Sequence, residues 1–419
     1  MTIHFDKLEL REPPLRERDL FTRLPGQIAH AQAHAPAFAG LLAGIDPHSI
    51  TSRTALATLP VIRKSELLDL QKAKRPFGGF AATGWHAHRN PALRVFASPG
   101  PLYEPETGRS DYWRMGRALV AAGFIAGDLI HNTFSYHFTP AGAMVDSGAQ
   151  AVGCTIFPAG IGQTEMQVQA IAELRPDGYV GTPSFLRIIL EKADESGADV
   201  SSLKKALVSG EAFPPSLRDA LQARGIAGYQ VYASADVGSI AYESVAREGL
   251  IVDEGVIVEI VRPGTGDTVA AGEVGEVVVT TLNPDYPLIR FGTGDLSALI
   301  PASLAEPSSC GRTNQRLKGW LGRADQTTKV KGMFVHPSQV AEIVRRHPAI
   351  VRARLVVDNP DGNDRMTLHC ESGESLDSFA ESVAASIRDV TKLRGEVARH
   401  DPGTLANDGK VIDDSRTYT

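Results

Sequence analysis

Between residues 127 and 234 the chain repeats one pattern: a short apolar run that stops at Gly, Pro, Ser or Thr, then a segment long enough for a helix. The runs are GDLIHNTF (127–134), GCTIFPAG (153–160), GYVGTP (178–183), KALVSGE (205–211) and GYQVYAS (228–234). TEMQVQAIAEL at 164–174 and PSFLRIILEKA at 183–193 lie between them and carry a helical period. Strand–helix alternation at this spacing predicts βαβ units around a parallel sheet. It also says where to look for chemistry, because the C-terminal strand ends of an open α/β sheet carry its ligand site.

On either side the pattern changes. Residues 1–80 read as helical and irregular, with breaks expected at Pro25, Pro36, Pro47 and Pro60. RPFGGFAA at 75–82 reads as a turn into the next unit. VIVEIV (256–261) and GEVVVTTL (275–282), joined by a Gly-rich connection, predict an antiparallel β unit. After a loop-like stretch at 301–322 comes a small α+β pattern. It has a helix near 337–347, strands near 350–357 and 365–371, and an amphipathic helix near 375–391. The expectation is an α/β protein with a large N-terminal domain, 1–324, and a small α+β C-terminal domain, 325–419, divided at 323–326.

Composition narrows the function class. The 419 residues are 42% hydrophobic and 22% charged, enough for a large core and too apolar for disorder. With 43 Lys+Arg against 49 Asp+Glu and no basic run, the chain is a poor nucleic-acid binder. Cys154, Cys310 and Cys370 lie far apart, which argues against a disulfide framework and fits a reducing cytoplasm. A lone Cys310 beside Ser308 and Ser309 does not make the four-ligand set of zinc. The N-terminus MTIHFDKLEL has no apolar core of signal-peptide type. The longest apolar stretch, 118–127, falls short of the roughly 20 residues that cross a bilayer. Small molecules, rather than nucleic acid or membrane, are the expected partners.

Six segments carry candidate chemistry: SPGPLYEP (98–105), VSGEA (208–212), YASAD (232–236), PLIRFGTGD (287–295), GRADQTTKVKGMFVHP (322–337) and a Gly-Lys pair ending at Lys410. Singly they read as a Pro/Gly turn, a strand end before a helix start at Pro214 and Pro215, a strand end with an Asp, a Gly turn, an interdomain linker and a surface lysine. In this order and spacing they resemble the adenylate-forming (ANL) superfamily, most closely its phenylacetate–CoA ligase branch. The resemblance runs from RPFGGFAA to Lys410.

That resemblance implies ATP, Mg²⁺ and CoA as cofactors and cosubstrates, and a carboxylic acid, aromatic or arylacetic, as substrate. It implies that 98–105 wraps the ATP phosphates through Ser98 and Gly100, although Pro99, Pro101 and Pro105 offer no N–H and the segment has no Lys. Arg94, Arg109 and Arg114 are the nearest cations in sequence to supply the missing charge. Ser209, Gly210, Glu211 and Ala212 would line the adenine site. Tyr232 and Ala233 would lie beside adenine, with Ser234 on the phosphate. Asp236 stands where the family has a Mg²⁺-binding Glu. Asp295 would accept both ribose hydroxyls, since a carboxylate has acceptors and no donor. Arg290 matches a family Arg and Gly292 replaces another. Arg323 would contact ribose or phosphate, Asp325 would be the hinge of a mobile C-terminal lid, and Gly332 would border the CoA pantetheine arm. Lys410 would bridge carboxylate and α-phosphate during adenylation. Tyr136 and Phe138 would wall the acyl pocket, while His131 and His137 read as packed or hydrogen-bonded side chains. A homodimer is implied by the resemblance. Two other readings stay open: adenylation with a different acyl acceptor, and a non-catalytic nucleotide- or acyl-binding relative.

Overall fold

A computed structural model describes residues 3–416 apart from 100, 212, 263, 322–323, 325–327, 332, 336, 361–363, 374–375 and 407–409. The chain divides into two compact units, Met1–Thr293 with Ser297–Trp320, and Gly294–Leu296 with Leu321–Thr419.

The first unit is built on an eight-stranded sheet. Its parallel half has the order Ala227–Ser234, Lys205–Val208, Gly178–Gly181, Leu129–Asn132, Thr155–Pro158. Both faces are covered, so the central strands read as unbroken apolar runs. The side-chain period of two sorts them. Val180 and Leu207 pack on one face with Leu119, Phe124, Ile130 and Val145. Tyr179, Ala206 and Val208 pack on the other with Ile171, Leu186, Ile189 and Leu221. The helix Ala141–Val152 stops at Gly153, whose φ of 90° is left-handed. The N–H of Cys154 returns to Ala149 O at 2.9 Å, which turns the chain into the next strand.

Beyond Ser234 the sheet changes direction. Gly238–Tyr242 runs antiparallel to Ala227–Ser234, followed by Leu250–Val252 and Arg316–Leu317. The turn at 235–237 is tight. Gly238 has φ +75°, and a Cβ there would meet Trp113 O at 2.6 Å, so only glycine fits.

A second sheet orders Ile62–Arg63, Phe291–Ser297, Gly275–Thr281 and Val256–Val261. The last two strands pair antiparallel, Val258 opposite Val279. The long helix Pro13–His34 packs Leu20, Leu24 and Ile28 into the core formed with Val258, Ile260, Val277 and Val279. It runs through Pro25, where the sequence predicts a break. The flanking Leu24 and Ile28 are fully buried, and this packing holds the turn that the missing N–H weakens. Pro36 opens the next helix and Pro47 a short 3₁₀ turn.

The second unit has a four-stranded sheet of order Glu396–His400, Arg365–Ser372, Ile350–Asp358, Ile412–Asp414. The helices Pro337–Arg346 and Leu376–Thr391 belong to the same unit. Val340, Ile343, Val383 and Ile387 join Leu355, Val357 and Leu368 in its core. Among the described residues, no helix is long and apolar enough to cross a membrane.

Candidate active site

Three elements of the first unit meet where the large sheet changes direction. The strand Ile62–Arg63 lies parallel to Phe291–Ser297, Arg63 opposite Gly292, and delivers the chain into the helix Lys64–Ala73. Lys64 therefore stands at the end of an anchored strand. Asp236 sits in the tight turn after Ala227–Ser234. The Lys64 ammonium donates to Asp236 Oδ2 at 2.6 Å, with the Asp236 side chain fully buried and that of Lys64 26% exposed.

The third element is segment 98–105. It is a hairpin rather than an open phosphate-wrapping loop: Ala92–Ser98 pairs antiparallel with Leu102–Thr107, Ser98 opposite Leu102 and Phe96 opposite Glu104. The alternation places Glu104 on the same face as Ser98, and Ser98 Oγ donates to Glu104 Oε1 at 2.5 Å. Gln71, fully buried on the Lys64 helix, clamps the hairpin. Its Nε2 donates to Tyr103 O at 3.0 Å and its Oε1 accepts from Tyr103 N at 2.8 Å.

Glu104 is fully buried. Burial, and then the charge of Asp236, push the Glu104 carboxyl up to about 8, while Ser98 and Lys64 oppose the shift. The buried Tyr286 hydroxyl is raised by burial and then by the charges of Asp236 and Glu104. Glu104 Oε2 and Asp236 Oδ1 are buried without a hydrogen-bond donor. The orphaned, buried Asp236 Oδ1 suits a hard divalent cation, so Asp236 fits a magnesium ligand on its chemistry. Ser234 Oγ lies 3.5 Å from Asp236 Oδ2.

The adenosine side is partly assembled. Tyr232 donates to Thr293 Oγ1 at 3.1 Å, and Thr293 donates to Val277 O at 3.0 Å. Asp295, half-buried, is two residues further along the strand Phe291–Ser297, on the same face as Thr293. Ser209 Oγ is tied to Val231 O at 2.7 Å. Gly210 is left-handed with φ 87°. Glu211 accepts the N–H of Ser184 at 2.6 Å, capping the helix Pro183–Ser196. Ala233 is half-buried between Tyr232 and Ser234.

Several expected roles are occupied otherwise. Arg94 pairs with Glu106 at 2.5 Å, Arg109 with Asp285 at 2.5 Å and Arg114 with Asp253 at 3.2 Å, so these cations already neutralise buried carboxylates. Arg290 is buried and structural. It is bidentate to Glu259 at 3.0 and 3.1 Å and donates to the carbonyls of Ala57, Leu59 and Gly266. A Cβ on Gly292 would meet the carboxylate tip of Glu276 at 2.7 Å, so a larger side chain there requires Glu276 to move. Phe138 is 80% exposed. The Tyr136 hydroxyl donates to Asp146 at 2.7 Å and accepts from Asn132 at 2.8 Å, which makes it part of a polar network. His131 is packed: it stacks on Phe157 at 5.4 Å and bonds to Gln167 at 2.5 Å. Lys410 is exposed in the second unit, 3.0 Å from Asp413. Gly100, Ala212, Arg323, Asp325 and Gly332 lie outside the described residues.

Lys64 and Glu104 are the site residues that local reading misses. Lys64 follows an apolar run at 59–62 and opens a helix, the context of an ordinary surface lysine. Glu104 is the charged side chain of the proline-rich segment, and that sign was the available signal.

The AMP-binding enzyme family matches residues 123–283. Phenylacetate-coenzyme A ligase of Aromatoleum evansii is 30% identical over 367 residues, 83% of this chain and 80% of that enzyme. The Escherichia coli enzyme of the same name is 30% identical over 84% of this chain and 82% of its own length. That of Thermus thermophilus is 29% identical over 90% and 87%. The crystal structure of 2-hydroxyisobutyryl-CoA ligase with 2-HIB-AMP and CoA shares the fold, with a TM-score of 0.74 and 23% identity over 98% of this chain and 92% of that one. Identity of this level across nearly the whole of both sequences, on a shared two-unit fold, makes the chain a member of the phenylacetate–coenzyme A ligase family of AMP-binding enzymes.

Proposed function

We propose that this chain is an ATP-dependent acid–CoA ligase acting on an aromatic or arylacetic acid. The observation that carries the reading is the buried Lys64–Asp236 pair at the end of the parallel sheet, in a chain of this family. In the first step a carboxylate oxygen of the substrate attacks the α-phosphorus of ATP, and the bond to pyrophosphate breaks. Negative charge builds on the phosphate oxygens as this happens. Preorganised cations offset such charge better than water does, because they need no reorientation. Lys64 supplies one, and Lys410 is assigned to bridge the carboxylate and the α-phosphate. Asp236 would hold Mg²⁺, which supplies further positive charge to the triphosphate when bound. Tyr232 and Thr293 orient the adenosine, and Asp295 accepts the ribose hydroxyls. In the second step the CoA sulfur attacks the acyl carbon, the C–O bond to AMP breaks, and AMP leaves with its electron pair.

Glu104 favours a second reading. A buried carboxyl in the phosphate segment brings no positive charge to the β- and γ-phosphates, as in a relative that holds AMP or acyl-AMP without making it. Acid-dependent pyrophosphate exchange, measured over aryl, arylacetic and aliphatic acids, separates the two. Exchange with an aryl acid followed by CoA-dependent AMP release supports the ligase. Binding of AMP as tight as ATP, with no exchange for any acid, overturns it.

A further inference from the structure

The sheet of the second unit buries one face under its helices and turns the other to the chain that leads to Lys410. Leu355, Val357, Leu368 and Cys370 alternate into the core with Val383 and Ile387. The side-chain period of two then puts Arg352, Arg354, His369 and Glu371 on the opposite face, Arg352 across from Glu371 and Arg354 across from His369. Glu371 is 2% exposed. Its Oε1 accepts the N–H of Leu405 at 2.7 Å. The N–H groups of Gly403 and Leu405 hold the carboxyl below its ordinary 4.5. Main-chain donors converging on one anion form a nest, and Gly403, with φ 86°, supplies its left-handed turn. Arg352 donates to Leu405 O at 3.0 Å and Arg354 to Ala406 O at 3.1 Å. Three charged side chains from two adjacent strands thus fasten residues 403–406 to the sheet. On the other side of Lys410, the N–H of Leu355 donates to Val411 O at 2.8 Å, and Ile412–Asp414 runs parallel to Leu355–Val357. The chain is therefore tied on both sides of Lys410 to consecutive residues of one strand: Ala406 by the side chain of Arg354, Val411 by the backbone of Leu355. Residues this near a chain end are ordinarily loose. The Lys410 Cα instead stands one residue, about 3.8 Å, from a fixed one.

We propose that Glu371, Arg352 and Arg354 are positioning residues for Lys410, fastening the segment before it so that its ammonium is presented from a fixed base. The inference rests on the adenylating role proposed for Lys410 and adds to it residues that no motif marks. A transition-state cation helps to the extent that its place is set before the reaction, and a displacement of about 1 Å can cost on the order of 10²-fold. A lysine stem is flexible already, so a loose backbone beneath it would add conformational entropy to be lost in each turnover. Hydrogen bonds between ionised side chains and the main chain are about twice as strong as neutral ones, which suits them to hold a segment of irregular backbone. Because the ties grip main chain, they leave the lysine side chain its own rotamers.

The test measures both half-reactions in the full-length chain: acid-dependent pyrophosphate exchange, and thioester formation from supplied acyl-AMP and CoA. Glu371→Ala and Arg354→Met should each lower kcat for exchange on the order of tenfold, with KM for ATP and thioester formation unchanged. Arg354→Lys, which keeps a charged donor, should recover part of the loss. In a Lys410→Ala chain the same substitutions should cost nothing further, because the group they place is gone. Amide hydrogen exchange at Gly403, Thr404 and Leu405 should quicken in Glu371→Ala. Arg354→Met, at a less buried position, decides the matter if Glu371→Ala does not fold. Exchange at the wild-type rate in Arg354→Met overturns the proposal. So does a loss of equal size with and without Lys410, or a parallel fall in thioester formation, either of which marks a general effect on the fold. The ligase reading fails differently: a wild-type chain with no exchange for any acid removes the ligase and the positioning role with it, whereas an active wild type with unaffected variants removes the positioning role alone.

Discussion

Lys64 and Asp236 stand 172 positions apart in sequence and 2.6 Å apart in space. The pair joins the start of the Lys64–Ala73 helix to the turn where the parallel sheet becomes antiparallel. Removing the ammonium leaves the buried Asp236 carboxylate without its counter-ion. Lys64→Ala should lower stability by about 1–3 kcal/mol, below the value for a fully buried pair because Lys64 is partly exposed. Added Mg²⁺ should restore part of the loss. Urea unfolding with and without Mg²⁺ checks this, and a metal-insensitive Lys64→Ala chain would contradict it.

Asp295 offers a second measurement. Removing the carboxylate that accepts the ribose hydroxyls should weaken ATP and AMP together, by about 1.5–3 kcal/mol if the lost bonds are charge-assisted. Calorimetry with both nucleotides on Asp295→Ala decides it. Unchanged AMP affinity in a folded variant moves the ribose site elsewhere.

Lys410 should act in one half-reaction. In Lys410→Ala, acid-dependent pyrophosphate exchange should fall by about 10²–10³, the loss expected for one transition-state donor. Thioester formation from supplied acyl-AMP should survive. Equal loss of both steps removes the assigned role.

The buried pair of Arg290 and Glu259 is a stability element. Glu259→Gln strands a guanidinium that is 1% exposed, and should cost about 3–5 kcal/mol. Replacing both, as Arg290→Met with Glu259→Leu, should recover much of that loss. Denaturant midpoints of the single and double variants test the coupling.

His131 predicts acid sensitivity. Gln167 donates to the carbonyls of Gly160 and Gly162, so its Oε1 accepts from His131 Nε2. Nδ1 is buried without a partner, and a proton there would be an unsatisfied donor. Burial accordingly holds the imidazole below its ordinary value of 6.5. An unfolded His131 takes up a proton near 6.5 that the folded one refuses. Stability from this group is present above that pH and is lost as pH falls below it. His131→Gln should flatten the decline between about pH 7 and 5. Parallel unfolding curves for wild type and variant across that window would contradict it.

The alternation of apolar runs and helical segments at 127–234 was sufficient to read the parallel sheet, because side-chain period and strand length are local properties. The antiparallel strands Val256–Val261 and Gly275–Thr281 and the C-terminal α+β unit were legible for the same reason. Asp236, Tyr232 and Asp295 are candidates named from the order of their segments. Tertiary structure decided what those segments face. Pro25 stays inside a helix because a distant sheet packs on it, and Arg94, Arg109 and Arg114 are spent on carboxylates elsewhere in the chain. Lys64 becomes a site residue because a two-residue strand, Ile62–Arg63, docks beside Phe291–Ser297. Glu104 becomes a buried carboxyl because its hairpin folds against Gln71. Local pattern specifies which face of an element is apolar. Whether a charge at its end meets water, a counter-ion or another buried charge depends on contacts hundreds of residues apart in places, and those exist only once the chain has closed on itself.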